Sequence, residues 1–130
     1  MSRRSRRRGF LGLVVLASLI FVVGCRSKLI VVRVINSGTT NLHNIEVDYP
    51  SASFGMSNLA PGATFTYRIQ LQDAGRMKVE FSDSNQQPHS GKGPYVKEGE
   101  QGSLTLTLDG SGKNEWAPQL HPRVTAPAGD

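Results

Sequence analysis

Cysteine is almost missing from this chain of 130 residues, and the single one is Cys25. One thiol forms no intramolecular disulfide and builds no CxxC metal site, so neither a disulfide scaffold nor a zinc module is available. Histidine is equally sparse, at His43, His89 and His121, and no two have metal-ligand spacing. No window sustains a 3.6-residue apolar period, which excludes a helical bundle. Excess positive charge is also missing from most of the chain. The formal charge is +5, yet five of the fifteen basic residues are arginines ahead of Phe10. From Cys25 onward ten basic and ten acidic side chains balance. A neutral chain without a basic cluster has nothing with which to displace counterions from a phosphate backbone, so no nucleic-acid partner is expected.

The arginines lead into Phe10 to Gly24, FLGLVVLASLIFVVG. Charged, apolar and small segments in that order are the layout of an export signal. As a helix the apolar run would reach only about 22 Å, short of the roughly 30 Å hydrocarbon core that a permanent span must cross. The last four residues of the signal, Val22-Val23-Gly24-Cys25, resemble the lipobox of bacterial lipoproteins. The resemblance implies cleavage after Gly24 and attachment of diacylglycerol to the Cys25 thiol. It also gives a purpose to a lone cysteine in an exported chain. Further acylation would make the anchor durable, because one acyl chain alone holds a membrane only marginally. Arg7-Arg8-Gly9-Phe10-Leu11 also resembles the twin-arginine export motif, so that route and the general secretory route both stay open. The expected location is a bacterial membrane, on its periplasmic or outer face.

Removal of residues 1–24 leaves 106, enough for one compact domain. Lys28 to Asn36 is β-branched and reads as a first strand. Leu42 to Pro50 alternates, with Ile45, Val47 and Tyr49 on one face against Asn44, Glu46 and Asp48. A short segment follows from Phe54 to Leu59, then a turn at Ala60-Pro61-Gly62. Phe65, Tyr67, Ile69 and Leu71 share a face, as do Met77, Val79 and Phe81, and then Leu104, Leu106 and Leu108. Period-two alternation between Gly- and Asn-rich turns marks half-buried strands. The polar stretch from Ser82 to Gly93 reads as a long loop or a weak edge strand, with Tyr95-Val96 a short strand. Asn114-Glu115-Trp116 adds a last strand. Three prolines after Ala117 suggest a disordered tail.

The expected fold is therefore all-β, an immunoglobulin-like sandwich of about seven strands. Its expected divisions are a signal at 1–24, a lipidated tether at 25–28, the sandwich at 29–116 and a tail at 117–130. Asn36-Ser37-Gly38, Leu42, Asn44-Ile45, Val47 and Leu59-Ala60-Pro61-Gly62, followed by Phe65 and Tyr67, resemble the CARDB-like modules of bacterial surface proteins. The resemblance covers roughly residues 29–109 and implies fold far more than function.

Candidate chemistry is thin. His43 with Glu46 and Asp48 reads as a solvent-facing strand. Asp109-Gly110-Ser111-Gly112-Lys113 has a cation where a calcium loop needs its third oxygen. Ser90-Gly91-Lys92-Gly93 lacks phosphate-loop spacing. No nucleophile has a recognisable base and orienting acid, so no enzyme and no cofactor is expected. The expected role is a non-enzymatic, lipid-anchored protein-interaction module with a protein partner in the envelope. Carbohydrate binding is the alternative, with Tyr95 and Trp116 as the candidate ligand surface and Phe54 a further aromatic. A small enzyme built around His43 or His89 is the third reading. The tether of three or four residues past Cys25 reaches only about 10–13 Å, which would hold the domain close to the bilayer with Arg26 and Lys28 beside the headgroups.

Overall fold

The structure, a computed structural model, describes residues 29–122. The proposed signal, Cys25, the tether and the last eight residues lie outside them. Eight strands form: β1 (Ile30–Asn36), β2 (Leu42–Tyr49), β3 (Ala52–Leu59), β4 (Thr64–Ile69), β5 (Gly75–Ser82), β6 (Pro88–Val96), β7 (Gln101–Leu108) and β8 (Asn114–His121). They make two four-stranded sheets, ordered β4-β1-β7-β8 and β3-β2-β5-β6.

The sheets pack face to face through the side chains that alternation points inward. Ile30, Val32 and Val34 of β1 meet Val47 of β2, Met77, Val79 and Phe81 of β5, and Leu104, Leu106 and Leu108 of β7 in one buried cluster. Each fully buried aliphatic side chain contributes about 1.5–3 kcal/mol relative to exposure. The all-β sandwich expected from the sequence is the fold. Its strand order is distinctive: β1 lies antiparallel to β4 and parallel to β7. Constant-type immunoglobulin domains instead set the first strand beside the second.

One expectation changes and two are refined. The strands number eight, because residues 52–59 pair with β2 along their length. The Ser82–Gly93 stretch divides into a short loop and β6, an edge strand paired to β5. Of the two alternatives read from the sequence, the edge strand is the one found for residues 88–93, and an edge strand tolerates the two glycines and two prolines of β6. The tail expected from Ala117 is also corrected, since residues 117–121 continue β8 in register with β7 from Ala117 opposite Thr105 to His121 opposite Gln101. Pro118 costs no ladder bond on a strand with one free edge.

That last strand closes one side of the sandwich. Trp116 packs inward against the core and its indole lies over Gly93 of β6. A Cβ at Gly93 would fall 2.8 Å from the indole, and one at Gly91 would fall 2.1 Å from the Asn114 carboxamide. Glycine is therefore the residue that lets β8 close onto β6. On the opposite side Phe54 of β3 stacks on Tyr67 of β4 with centroids 4.5 Å apart and planes 17° apart. Tyr67 faces inward as alternation predicts, but β4 is an edge strand and the ring stays 41% exposed. Burial, with Tyr67 nearby as a lesser cause, raises the Tyr49 phenol above its usual range.

Candidate functional site at the loop end

The registers give the sandwich two unlike ends. Ile30 pairs with Ile69 and Gly102, and Gln101 pairs with His121. The first described strand therefore begins, and the last one finishes, at the same end. The links at the other end are residues 37–41, 60–63, 83–87 and 109–113, rich in Ser, Thr, Asn, Gln and Gly. Leu29 and these four loops therefore stand at opposite ends of the sandwich.

Four side chains brace that end. Asn36, the last residue of β1, is fully buried. Its Nδ2 donates to the Thr40 carbonyl at 2.8 Å and to the Leu59 carbonyl at 3.0 Å, while its Oδ1 accepts from the Gly38 amide at 3.0 Å. Backbone bonds from Asn36 to Ala63 and from Gly62 to Asn36 add the 60–63 turn. Side chain and backbone of Asn36 together thus join two loops and the end of β3. Ser37 fastens the first loop to β7 through the Leu108 carbonyl.

Asp83 braces the third loop. Its Oδ1 accepts from the Asn85 and Gln87 amides at 2.9 and 3.0 Å, and its Oδ2 pairs with His89 Nε2 at 2.9 Å. The hydrogen bond from His89, then that from Gln87, holds the Asp83 carboxyl below the usual carboxylate range. The imidazole lies against Phe81, with ring centroids 5.3 Å apart, and its Nδ1 lies beside Gly112. Gly112 has φ 92°, and a Cβ there would fall 2.5 Å from His89 Nδ1. A larger residue is excluded twice, by conformation and by space.

Asp109 organises the fourth loop, its Oδ1 accepting from the Ser111 amide and hydroxyl and from the Lys113 amide. Those bonds, the Ser111 hydroxyl first, lower its carboxyl below the ordinary range. The loop joins β7 to β8 as a hairpin turn, with its carboxylate turned to the backbone.

The candidate residues scatter. Gly24 and Cys25 lie outside the described residues. Tyr95 is 58% exposed on the outer side of β6, whereas Trp116 packs inward and donates from Nε1 to Asn114 Oδ1 at 3.3 Å. The two aromatics do not form one flat surface, and Phe54 is buried. His43 lies on β2 opposite Ser82, His89 is in its pair with Asp83, and His121 is exposed at the end of β8. Among the described residues no three His, Cys, Asp or Glu side chains are grouped to hold a metal ion. The Asp83–His89 pair escaped the sequence reading. Its signal was an acid just after one strand and a histidine second in the next, on either side of a short polar turn.

No family model matches the chain, and no curated protein matches it. A solved structure does: the NMR structure of a protein from Eubacterium rectale is similar at 14% identity with a TM-score of 0.53. The match covers 74% of this chain and 95% of that one. A likeness at this identity establishes the shared fold.

Proposed function

We propose that the protein is a lipid-anchored, non-catalytic display module of the bacterial cell envelope. Cys25 carries the anchor, and the four-loop end of the sandwich meets a protein partner. The observation that carries this reading is the opposition of the two ends. The chain arrives at Leu29 beside Gly102 and Ile69, and the braced loops stand a full strand length away. Strands of seven or eight residues separate the ends by about 25 Å at 3.3 Å per residue. Rigid loops bind without a large ordering cost, which suits a recognition surface. The Asp83–His89 pair fits the non-catalytic reading, because the carboxylate is committed to two backbone amides and the imidazole is packed on Phe81 and Gly112.

The test is a pull-down from host membranes with the full chain and with Cys25→Ala, alongside mass spectrometry of the mature N-terminus. Acylated Cys25, loss of the variant from the membrane fraction and a partner captured through the wild-type chain are expected. An unmodified thiol, or residues 1–24 still attached, overturns the anchor.

A further inference from the structure

The outer face of the β3-β2-β5-β6 sheet has a trough where its strands lose their regular spacing. A bulge in β2 shifts its register against β5 between His43 and Glu46, and Asn44 takes φ 49° there. The bulge explains why Leu42 and Ile45, three apart, are both buried. Three cavities of about 430, 460 and 470 Å³ all have Asn44 in their walls. Together they cross the sheet from Ser57 on β3, over Asn44 on β2 and Ser82 on β5, to Ser90 on β6. Four strands at about 4.8 Å spacing make that crossing roughly 14 Å long. Backbone strain gathers at the same place. Of the three non-glycine residues with positive φ in the described chain, Asn44 and Gln86 line one of these cavities. Non-glycine residues held in that region concentrate at ligand sites.

We propose that this trough binds an uncharged glycan. No Lys or Arg lines any of the three cavities, so an anionic ligand has no counterion there. Hydroxyls and amides of Ser57, Asn44, Ser82 and Gln86 offer both donors and acceptors. In the walls on either side, Glu46 of β2 stands directly opposite Glu80 of β5, and both are exposed. Like charges facing each other across a sheet are unfavourable, and neither makes an ion pair with another described residue. Sugar hydroxyls donating to these carboxylates would form charge-assisted bonds. Gly55 on β3 keeps the other wall low, since a Cβ there would fall 2.7 Å from the Ile45 carbonyl. An extended peptide is disfavoured because the trough runs across the strands, whose backbone groups are spent on one another, whereas peptide addition needs a free edge.

The test titrates the full chain in detergent micelles with cellotetraose, maltotetraose and the N-acetylglucosamine tetramer, read by calorimetry. Saturable binding to at least one is expected. Asn44→Gly keeps the backbone conformation and removes the amide, and Glu80→Gln removes the charge. Glu80→Gln should weaken binding about tenfold, the scale of one charge-assisted hydrogen bond, and Asn44→Gly about fivefold, the scale of a neutral one. The melting temperature should hold in Asn44→Gly and hold or rise in Glu80→Gln, which relieves the like-charge pair. Ser57→Trp, at an exposed edge position, should block the trough, while Thr66→Ala on the other sheet should change nothing. Absence of saturable binding to all three sugars overturns the proposal. Binding indifferent to Asn44→Gly, Glu80→Gln and Ser57→Trp does so too, as does binding of calcium chloride or a decapeptide in place of sugar.

Discussion

Replacing Asn36 with Ala should loosen the whole loop end, and the size of the effect follows from its bonds. The side chain makes three hydrogen bonds, two donated and one accepted, from a fully buried position. Each contributes a net ~1 kcal/mol, and a buried carbonyl left without a donor costs ~1–3 kcal/mol. The Leu59 carbonyl is the buried one. The expected loss is about 3 kcal/mol, which for a domain of this size lowers the melting temperature by roughly 12–24 °C. Asn36→Asp should be at least as harmful at neutral pH. Its carboxylate still accepts from Gly38, but it cannot donate to two carbonyls and it buries a charge. Asn41→Ala, at an exposed turn position, should cost less than about 0.5 kcal/mol. Urea titration followed by circular dichroism, with equal slopes for all variants, provides the comparison. A loss below about 1 kcal/mol for Asn36→Ala would refute the idea that this amide braces the end.

Other predictions concern the second brace, the closed side and the tether. Asp83 has its carboxyl pKa lowered in the fold, so its contribution is fully present above the unfolded value near 3.9 and fades as pH falls through the folded one. Acid titration of the melting temperature should show that loss below about pH 4, and it should be smaller in Asp83→Asn. Gly93→Val should drive Cβ into the Trp116 indole, costing about 1–3 kcal/mol and shifting tryptophan emission to the red. Truncation before Ala117 should destabilise the domain strongly, because it strips β7 of most of its partner strand. Unchanged melting of the truncated chain would contradict the assignment of β8. Inserting about fifteen Gly/Ser residues after Ser27 should impair function in cells if close holding at the membrane matters.

The sequence made the central strands legible because their alternation is undisturbed. Val32 and Val34, Met77 to Phe81 and Leu104 to Leu108 each have a period of two, and all face the core. The edges were harder to read. In β6 Gly91 and Gly93 look like loop residues, but they are small because Asn114 and Trp116 press on them. Pro118 looks like a strand breaker, and its place on the outer edge of the sheet is a tertiary fact. The bulge at Asn44 was hidden for a related reason, since Ile45, Val47 and Tyr49 alternate correctly and only the distance back to Leu42 betrays an extra residue. The brace at Asn36 depends on a partner 23 residues away, beyond any local pattern, whereas the partners of Asp83 lie within six residues and form a local signal. Strand order, with β1 parallel to β7, is likewise set by long-range pairing.

In the proposed arrangement the loop end is presented to a partner while the Leu29 end faces the membrane. A photo-crosslinking amino acid placed in turn at Thr39, Asn85, Ser111, Gln72 and Glu98 of the full chain, irradiated in host membranes, tests it directly. A discrete protein adduct is expected from the first three positions and none of that size from the last two. The same adduct from Gln72 and Glu98, with silence at Thr39, Asn85 and Ser111, would contradict it.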